Sequence, residues 1–188
     1  MDEWSIGVVD EAKEYESRYK KHIVCTKYRV EGLTIEQFRT FGEEPLRNQE
    51  KMNNRIENWL LEQEDEGINT IMIKCSTPPL ISNRAIVSTL YQYMKEDGTF
   101  CAIQSSRGNE KIVEKYKDQI GSDVLANQNV CMTKLIPFDG GCEVNQILDV
   151  DPMGWIPDMV KSVVSKRTAM NGMYLIDFIM NGTIPPAM

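Results

Sequence analysis

The sequence has little of the side-chain chemistry that most enzymes use. It contains one histidine, His22, which lies in a Lys-Lys-His run where we predict a solvated strand end. A Ser-His or Cys-His pair that could activate a nucleophile is therefore not apparent. The acidic cluster at residues 62–66 falls at a predicted hairpin tip, where hydrated, mutually repelling charges are the simpler interpretation. We therefore predict no catalytic residue and no enzymatic activity.

Metal ligands, signal segments and long apolar runs are also missing. The five cysteines are widely spaced, form no CxxC motif and have one histidine beside them, so we predict no metal site, no cofactor and free thiols in a reducing compartment. A formal net charge of −7 argues against a nucleic-acid partner. The acidic N-terminal residues do not resemble a signal peptide, and no run has the length of a membrane span. We expect a cytoplasmic protein with one domain over residues 1–188.

The order of the periodic segments predicts an α+β fold. Strand-like alternation dominates the middle of the chain, and shorter helical patterns flank it. Thr34 and Gln37 form a capping-box pattern at the start of one short helix. The predicted helices are Val8–Lys21, a short one from Thr34, Pro45–Asn54 and Lys111–Ile120. The predicted strands are His22–Val30, Ile56–Gln63, Ile68–Cys75, Arg84–Met94, Thr99–Gln104 and Val130–Pro137, with a short strand Val124–Ala126 expected to pair with the last of these across the NQN turn.

The last part of the chain predicts a hairpin followed by a long apolar helix. Gly140-Gly141 provides the turn, and Pro157 suits the first turn of a helix that ends near Gly182. In its second half this helix is apolar almost all round, so it needs partners on more than one side. Methionine, of which the chain has 11, suits adaptable apolar sites as well as core gaps. The pattern alone leaves a ligand pocket and a plain core equally open.

Four segments of the chain form a recognisable series: the Trp4-led start, Ser82–Val87, Val130–Pro137 with the Gly140-Gly141 turn, and Asp151–Pro157, which reads DPMGWIP. Together they resemble the StAR-related lipid-transfer (START) family. The last of these is the most specific, because it resembles the D-x-K-G-x-[IL]-P motif that precedes the family's terminal helix. The segments occur in the family's order and spacing, and together they span nearly the whole chain.

The resemblance implies a helix-grip fold, in which a curved antiparallel sheet of about six to nine strands grips a long C-terminal helix, with short helices near the N-terminus. It also implies that the protein holds one lipid in an apolar tunnel between sheet and helix, binding it without catalysis and contacting membrane surfaces transiently, as a monomer. The predicted cavity residues are Ile71, Ile73, Arg84, Leu90, Cys101, Ile103, Met132, Gln146, Ala169, Met173, Ile176 and Met180.

The sequence departs from the family pattern at positions that bear on the ligand. Ala85 stands where the family has an aspartate, and Leu90 and Ile71 stand where sterol carriers have a buried arginine and acid. We therefore expect an unusually apolar tunnel, and the lipid class (sterol, phospholipid or sphingolipid) stays open. The alternatives are a START-like ligand-sensing module that does not transfer lipid and an enzyme of the polyketide-cyclase type, which the apolar wall disfavours.

Overall fold

The fold is built on one antiparallel sheet. The computed structural model describes residues 5–10, 15–20, 23–43, 56–65, 67–77, 79–157 and 174–182. In spatial order the main strands of the sheet run β1-β2-β3-β10-β9-β7-β6-β5-β4, so the strand before the terminal helix lies beside the first long strand of the chain. The strands are β1 (Ser5–Asp10), β2 (Tyr15–Lys20), β3 (Ile23–Glu31), β4 (Ile56–Asp65), β5 (Ile68–Cys75), β6 (Arg84–Met94), β7 (Phe100–Ser105), β8 (Val124–Leu125), β9 (Asn127–Phe138) and β10 (Gly141–Asp151).

Four helical segments accompany the sheet in the described part of the chain. They are α1 (Ile35–Glu43), α2 (Glu110–Lys115), α3 (Lys117–Ile120) and the C-terminal helix, residues 174–181. At the start of α1, the Gln37 side chain accepts from the Thr34 amide (2.8 Å) and the Gln37 amide donates to the Thr34 hydroxyl (3.1 Å), which confirms the capping box. The C-terminal helix ends at Gly182, as predicted. Gly182 has a φ of 67°, and its amide donates a hydrogen bond to the Phe178 carbonyl (2.8 Å).

The curved sheet and the C-terminal helix confirm the helix-grip prediction. The strands predicted from His22 to Gln104 are present, and their boundaries agree with the prediction to within two residues. The predicted helix at 45–54 and the start of the terminal helix lie outside the described residues, as does Trp4.

Two predicted elements were wrong. The segment predicted as the helix Val8–Lys21 contains the end of β1 and all of β2, an antiparallel pair in which β2 joins the edge of β3. Its apolar spacing fitted a helix, but valine and tyrosine are also good strand residues, and the free edge of β3 offered backbone partners that periodicity cannot show. The strand β8 pairs in parallel with the start of β6 and not with β9, because β9 already has β7 and β10 on its two edges.

The sheet has an inner and an outer face, and the register assigns each strand residue to one of them. We define the inner face as the one on which the C-terminal helix packs. Ile176, Ile179 and Met180 of that helix lie against a buried cluster made of Tyr28, Leu33, Phe100, Leu135, Cys142 and Val144. On the outer face, α2 and α3 cover the β5–β6 end around Met72 and Val87. The two faces therefore have different covers at different ends.

Candidate functional site

The end of the inner face beneath the C-terminal helix is a tight apolar core. Tyr28, Val144, Leu135 and Phe100 form one row across β3, β10, β9 and β7, because each is the register partner of the next. All four are at most 4% exposed. This end of the sheet therefore anchors the described part of the C-terminal helix.

The next row along the inner face is polar and internally satisfied. Gln146 lies between Thr26 and Thr133 in the register. Its side-chain oxygen accepts from the hydroxyls of Thr26 and Tyr28, both at 3.3 Å, and its nitrogen donates to the Thr133 hydroxyl at 3.2 Å. With three partners the amide of Gln146 has little capacity left for a ligand.

Beyond this row the inner face changes character. Leu148, Cys131, Gln104 and Leu90 are successive register partners, and Ile71 and Ile73 continue the apolar surface on β5. Leu90, Gln104 and Leu148 are only partly buried, in contrast to the row beneath the C-terminal helix. Gln104 donates to the Ser88 hydroxyl at 2.7 Å. This half of the face is therefore mostly apolar, with a few neutral polar groups.

Cys131 lies in this half of the inner face and has a desolvated thiol. Burial raises the pKa of its thiol from the ordinary value of 9.0 to about 11. The same side chain is only partly buried by exposed area. Cys131 therefore combines a desolvated thiol with some surface that the described protein does not cover. We therefore regard the region around Cys131, Leu90 and Ile71 as the candidate site.

Gln128 borders the same region. A bulge in the pairing of β9 with β10 sets Gln128 opposite Val150, so it shares the inner face with Cys131. Its side chain hydrogen-bonds the Cys131 thiol, which modestly opposes the rise in the thiol pKa. Gln128 is 4% exposed, and its side-chain oxygen has no hydrogen-bond partner among the residues that the structure describes.

Arg84 closes one end of the inner face as a structural clamp. Its Nε donates to the Pro152 carbonyl (3.1 Å) and its Nη2 to the carbonyls of Met153 (3.0 Å) and Trp155 (3.5 Å). A fourth bond runs from Nη1 to the Ser82 carbonyl. The guanidinium, 5% exposed, thus binds the main chain of the DPMGWIP junction. Its donors are committed to protein, which leaves it little capacity to hold a headgroup.

The structure divides the predicted cavity residues into three groups. Ile71, Ile73, Arg84, Leu90 and Gln146 lie on the inner face, and Ile176 and Met180 of the helix pack against it. Ala169 and Met173 lie outside the described residues. Cys101, Ile103 and Met132 lie on the outer face, because their register partners there are Tyr93, Tyr91 and Ile147. Placing these three with Leu90 and Gln146 was wrong by one residue in the strand alternation.

Sequence reasoning missed Gln128, Cys131, Ser88 and Gln104. The period-2 alternation from Leu90 includes Ser88 on the inner face, and the hairpin register from Gly140-Gly141 leads from Gln146 to Thr133 and hence to Cys131. Ser88 and Cys131 could therefore have been assigned to the inner face from the sequence. Gln128 could not, because the bulge beside it shifts the alternation and has no clear sequence signal.

Met132 borders a shallow outer-face groove with Cys25, Lys27 and Ile147, away from the candidate site. Among the described residues, no group of three His, Cys, Asp or Glu side chains is placed to hold a metal ion. Of the helices in the described ranges, none combines the length and the hydropathy that crossing a membrane requires.

Solved structures with the same fold carry START-domain names. The chain superposes on human STARD10 with a TM-score of 0.71 and 12% identity, over 90% of this chain and 69% of that one. The lipid transfer and protein localization domain of human StarD13 gives 0.68 at 14% identity, covering 99% and 91%. A STAR-related lipid transfer protein from Xanthomonas axonopodis gives 0.68 at 15% identity, covering 95% and 97%. The sequence itself matches no protein-family model and no curated protein. The chain therefore has the START-domain fold.

Proposed function

We propose that this protein binds one lipid between the inner face of its sheet and its C-terminal helix. The observation that carries the proposal is the contrast along the inner face. The row beneath the described part of the C-terminal helix is buried, whereas Leu90 and Cys131, in the mostly apolar other half, are only partly buried. Two of the solved structures with this fold are named as lipid transfer proteins or domains, which supports the same reading.

The energetics favour an apolar occupant. Each Å² of apolar surface removed from water contributes about 25 cal/mol, so an acyl chain or sterol ring gains several kcal/mol by entering such a space. Titratable groups suited to acid–base catalysis are absent from the described inner-face strand positions, apart from thiols such as Cys131, whose raised pKa makes it a poor nucleophile. A binding protein without catalysis fits these residues better than an enzyme does.

Loading a lipid requires the cover to move. The C-terminal helix is fixed at one end by the Tyr28 cluster, and the chain before residue 157 is fixed by Arg84. We propose that the C-terminal helix moves relative to the inner face during transient contact with a membrane surface, which admits the lipid. The protein would act as a monomer in the cytoplasm, where its free cysteines stay reduced.

Lipid extraction from purified protein tests the proposal. Native mass spectrometry of the full chain, followed by organic extraction, should show one lipid per protein. Transfer between donor and acceptor vesicles then separates a carrier from a ligand sensor, since a sensor would bind lipid without moving it. If the protein co-purifies with no lipid and takes none from vesicles of mixed composition, the proposal is wrong.

A further inference from the structure

The polar end of the bound lipid can be inferred from one buried side chain, Gln128. Its main chain is satisfied, because its amide donates to the Ser106 hydroxyl (3.2 Å) and its carbonyl accepts from the Ser106 amide (2.8 Å). Its side-chain oxygen is buried and has no partner within the described part of the chain. Buried polar atoms in folded proteins nearly always have a hydrogen-bond partner, so this buried acceptor calls for a donor.

The charge of the surrounding surface narrows the choice of donor. Along strands β3 to β10, the described inner-face positions hold no Asp, Glu or Lys, and Arg84 is the one basic residue. The guanidinium of Arg84 is bound to main-chain carbonyls. On these described strand positions a phosphate or carboxylate headgroup would therefore meet no available counter-charge, and burying it there would be strongly unfavourable. A neutral polar end meets no such penalty.

A hydroxyl suits this site, because it is the smallest neutral group of a lipid that can donate to the side-chain oxygen of Gln128. It can also accept from the amide nitrogen if the side chain turns over. Ser88 and Gln104 lie on the inner face nearby, and they already bond each other. Gln128 therefore has the buried acceptor that remains free to select the ligand.

We propose that the ligand is a neutral lipid whose polar end is a hydroxyl, and that the hydroxyl is hydrogen-bonded by Gln128. This inference rests on the proposed lipid-binding function and adds the class of lipid. The hydrocarbon of the ligand lies along Leu90, Ile71 and Ile73, and its hydroxyl lies at Gln128 beside Cys131. Gln128 is the specificity-determining residue.

The test compares lipids that differ only at their polar end. The probes are dioleoylglycerol with its methyl ether, cholesterol with its methyl ether, and phosphatidic acid with the same acyl chains, offered to delipidated protein from vesicles. For the chain type that binds, the hydroxyl form should bind about tenfold more tightly than the methyl ether, as expected for one buried hydrogen bond. In Gln128→Leu that preference should fall to within about twofold.

Gln146→Leu is the matched control. It removes a second glutamine from the same face, but one whose amide is already held by Thr26, Tyr28 and Thr133. It should keep the hydroxyl preference. Equal binding of alcohol and ether by the native protein, a preference for phosphatidic acid, or an unchanged preference in Gln128→Leu each overturns the inference while lipid binding stands. Binding of no probe, together with no co-purifying lipid, contradicts the lipid-binding function itself. If Gln128→Leu does not fold, the ratio measured on the native protein decides.

Discussion

Arg84 and Met153 are joined by a hydrogen bond of 3.0 Å from the guanidinium Nη2 to the main-chain carbonyl. Met153 adopts a φ of 50°, in the left-handed region that costs a non-glycine residue energy, and Gly154 follows with a φ of 66°. The clamp therefore holds a sharp bend, at which the chain leaves the sheet toward its terminal helix. Gly154 lies close enough to the guanidinium that an added Cβ would stand 3.5 Å from Nη2.

Replacing Arg84 should destabilise this junction. Arg84→Met removes four donors from main-chain carbonyls, and we expect a loss of about 2–3 kcal/mol in the free energy of unfolding, the range for hydrogen bonds from a charged group. Arg84→Lys keeps the charge but not the planar fork, so it should recover about half of the loss. Urea denaturation measures both. Equal stability of Arg84→Lys and the native protein would show that the fork geometry is unimportant.

A bulky substitution should reduce lipid binding only when the substituted residue lies on the inner face. Leu90→Trp adds bulk to the inner face beside Cys131, and we expect it to reduce lipid uptake at least about tenfold. The matched control is Ile103→Trp, since Ile103 is on the neighbouring strand but on the outer face. Uptake by the control should match the native protein. The reverse result, in which Ile103→Trp loses binding and Leu90→Trp keeps it, would place the site on the outer face.

The two inner-face glutamines should respond oppositely in stability. Gln146→Leu leaves Thr26, Tyr28 and Thr133 without their shared partner, so we expect a loss of about 1–3 kcal/mol. Gln128→Leu removes a buried acceptor that has no described partner, and this gain outweighs the loss of the weak hydrogen bond to the Cys131 thiol, so the lipid-free protein should be unchanged or more stable by up to about 1 kcal/mol. Thermal and urea unfolding of delipidated samples provide the comparison. A large destabilisation by Gln128→Leu would mean that its oxygen is already satisfied.

Cys131 should react slowly with thiol reagents. Because its pKa is about 11, roughly one Cys131 thiol in a thousand is ionised at about pH 8, and labelling should accelerate only as the pH rises toward 11. The raised pKa also means that this thiol stabilises the fold fully below its ordinary pKa of 9.0, and that the contribution is lost as the pH rises from there to about 11.

Bound lipid should slow this labelling further, because Cys131 borders the proposed site. Mass spectrometry of peptides after timed alkylation, with and without lipid, measures the effect, and Cys25 on the outer face is the internal reference. Equal protection of both thiols by lipid would indicate a global effect and argue against a lipid beside Cys131.

Much of the architecture was predictable because its causes are local. Alternation along Arg84–Met94 and Ile68–Cys75 identified β6 and β5, the glycine pair identified the β9–β10 hairpin, and Thr34 with Gln37 identified the start of α1. The error at β1 and β2 had a non-local cause, the free edge of β3. The same alternation determines on which face of the sheet Cys101, Ile103 and Met132 lie, but assigning that face required the register between neighbouring strands.

Residue type and spacing were enough to predict the kind of surface that this protein has inside: strands whose inner positions are mostly apolar or neutral, followed by an apolar terminal helix. Periodicity and residue type are local properties, and they suffice for that. The tertiary structure was needed to show that Arg84 donates to main-chain carbonyls, which leaves it little capacity for a ligand. It was also needed to show that the side-chain oxygen of Gln128 is buried without a hydrogen-bond partner among the described residues. Both properties depend on which groups, distant in sequence, the fold places beside each side chain. The energy of those contacts depends on burial, which exists only in the folded chain.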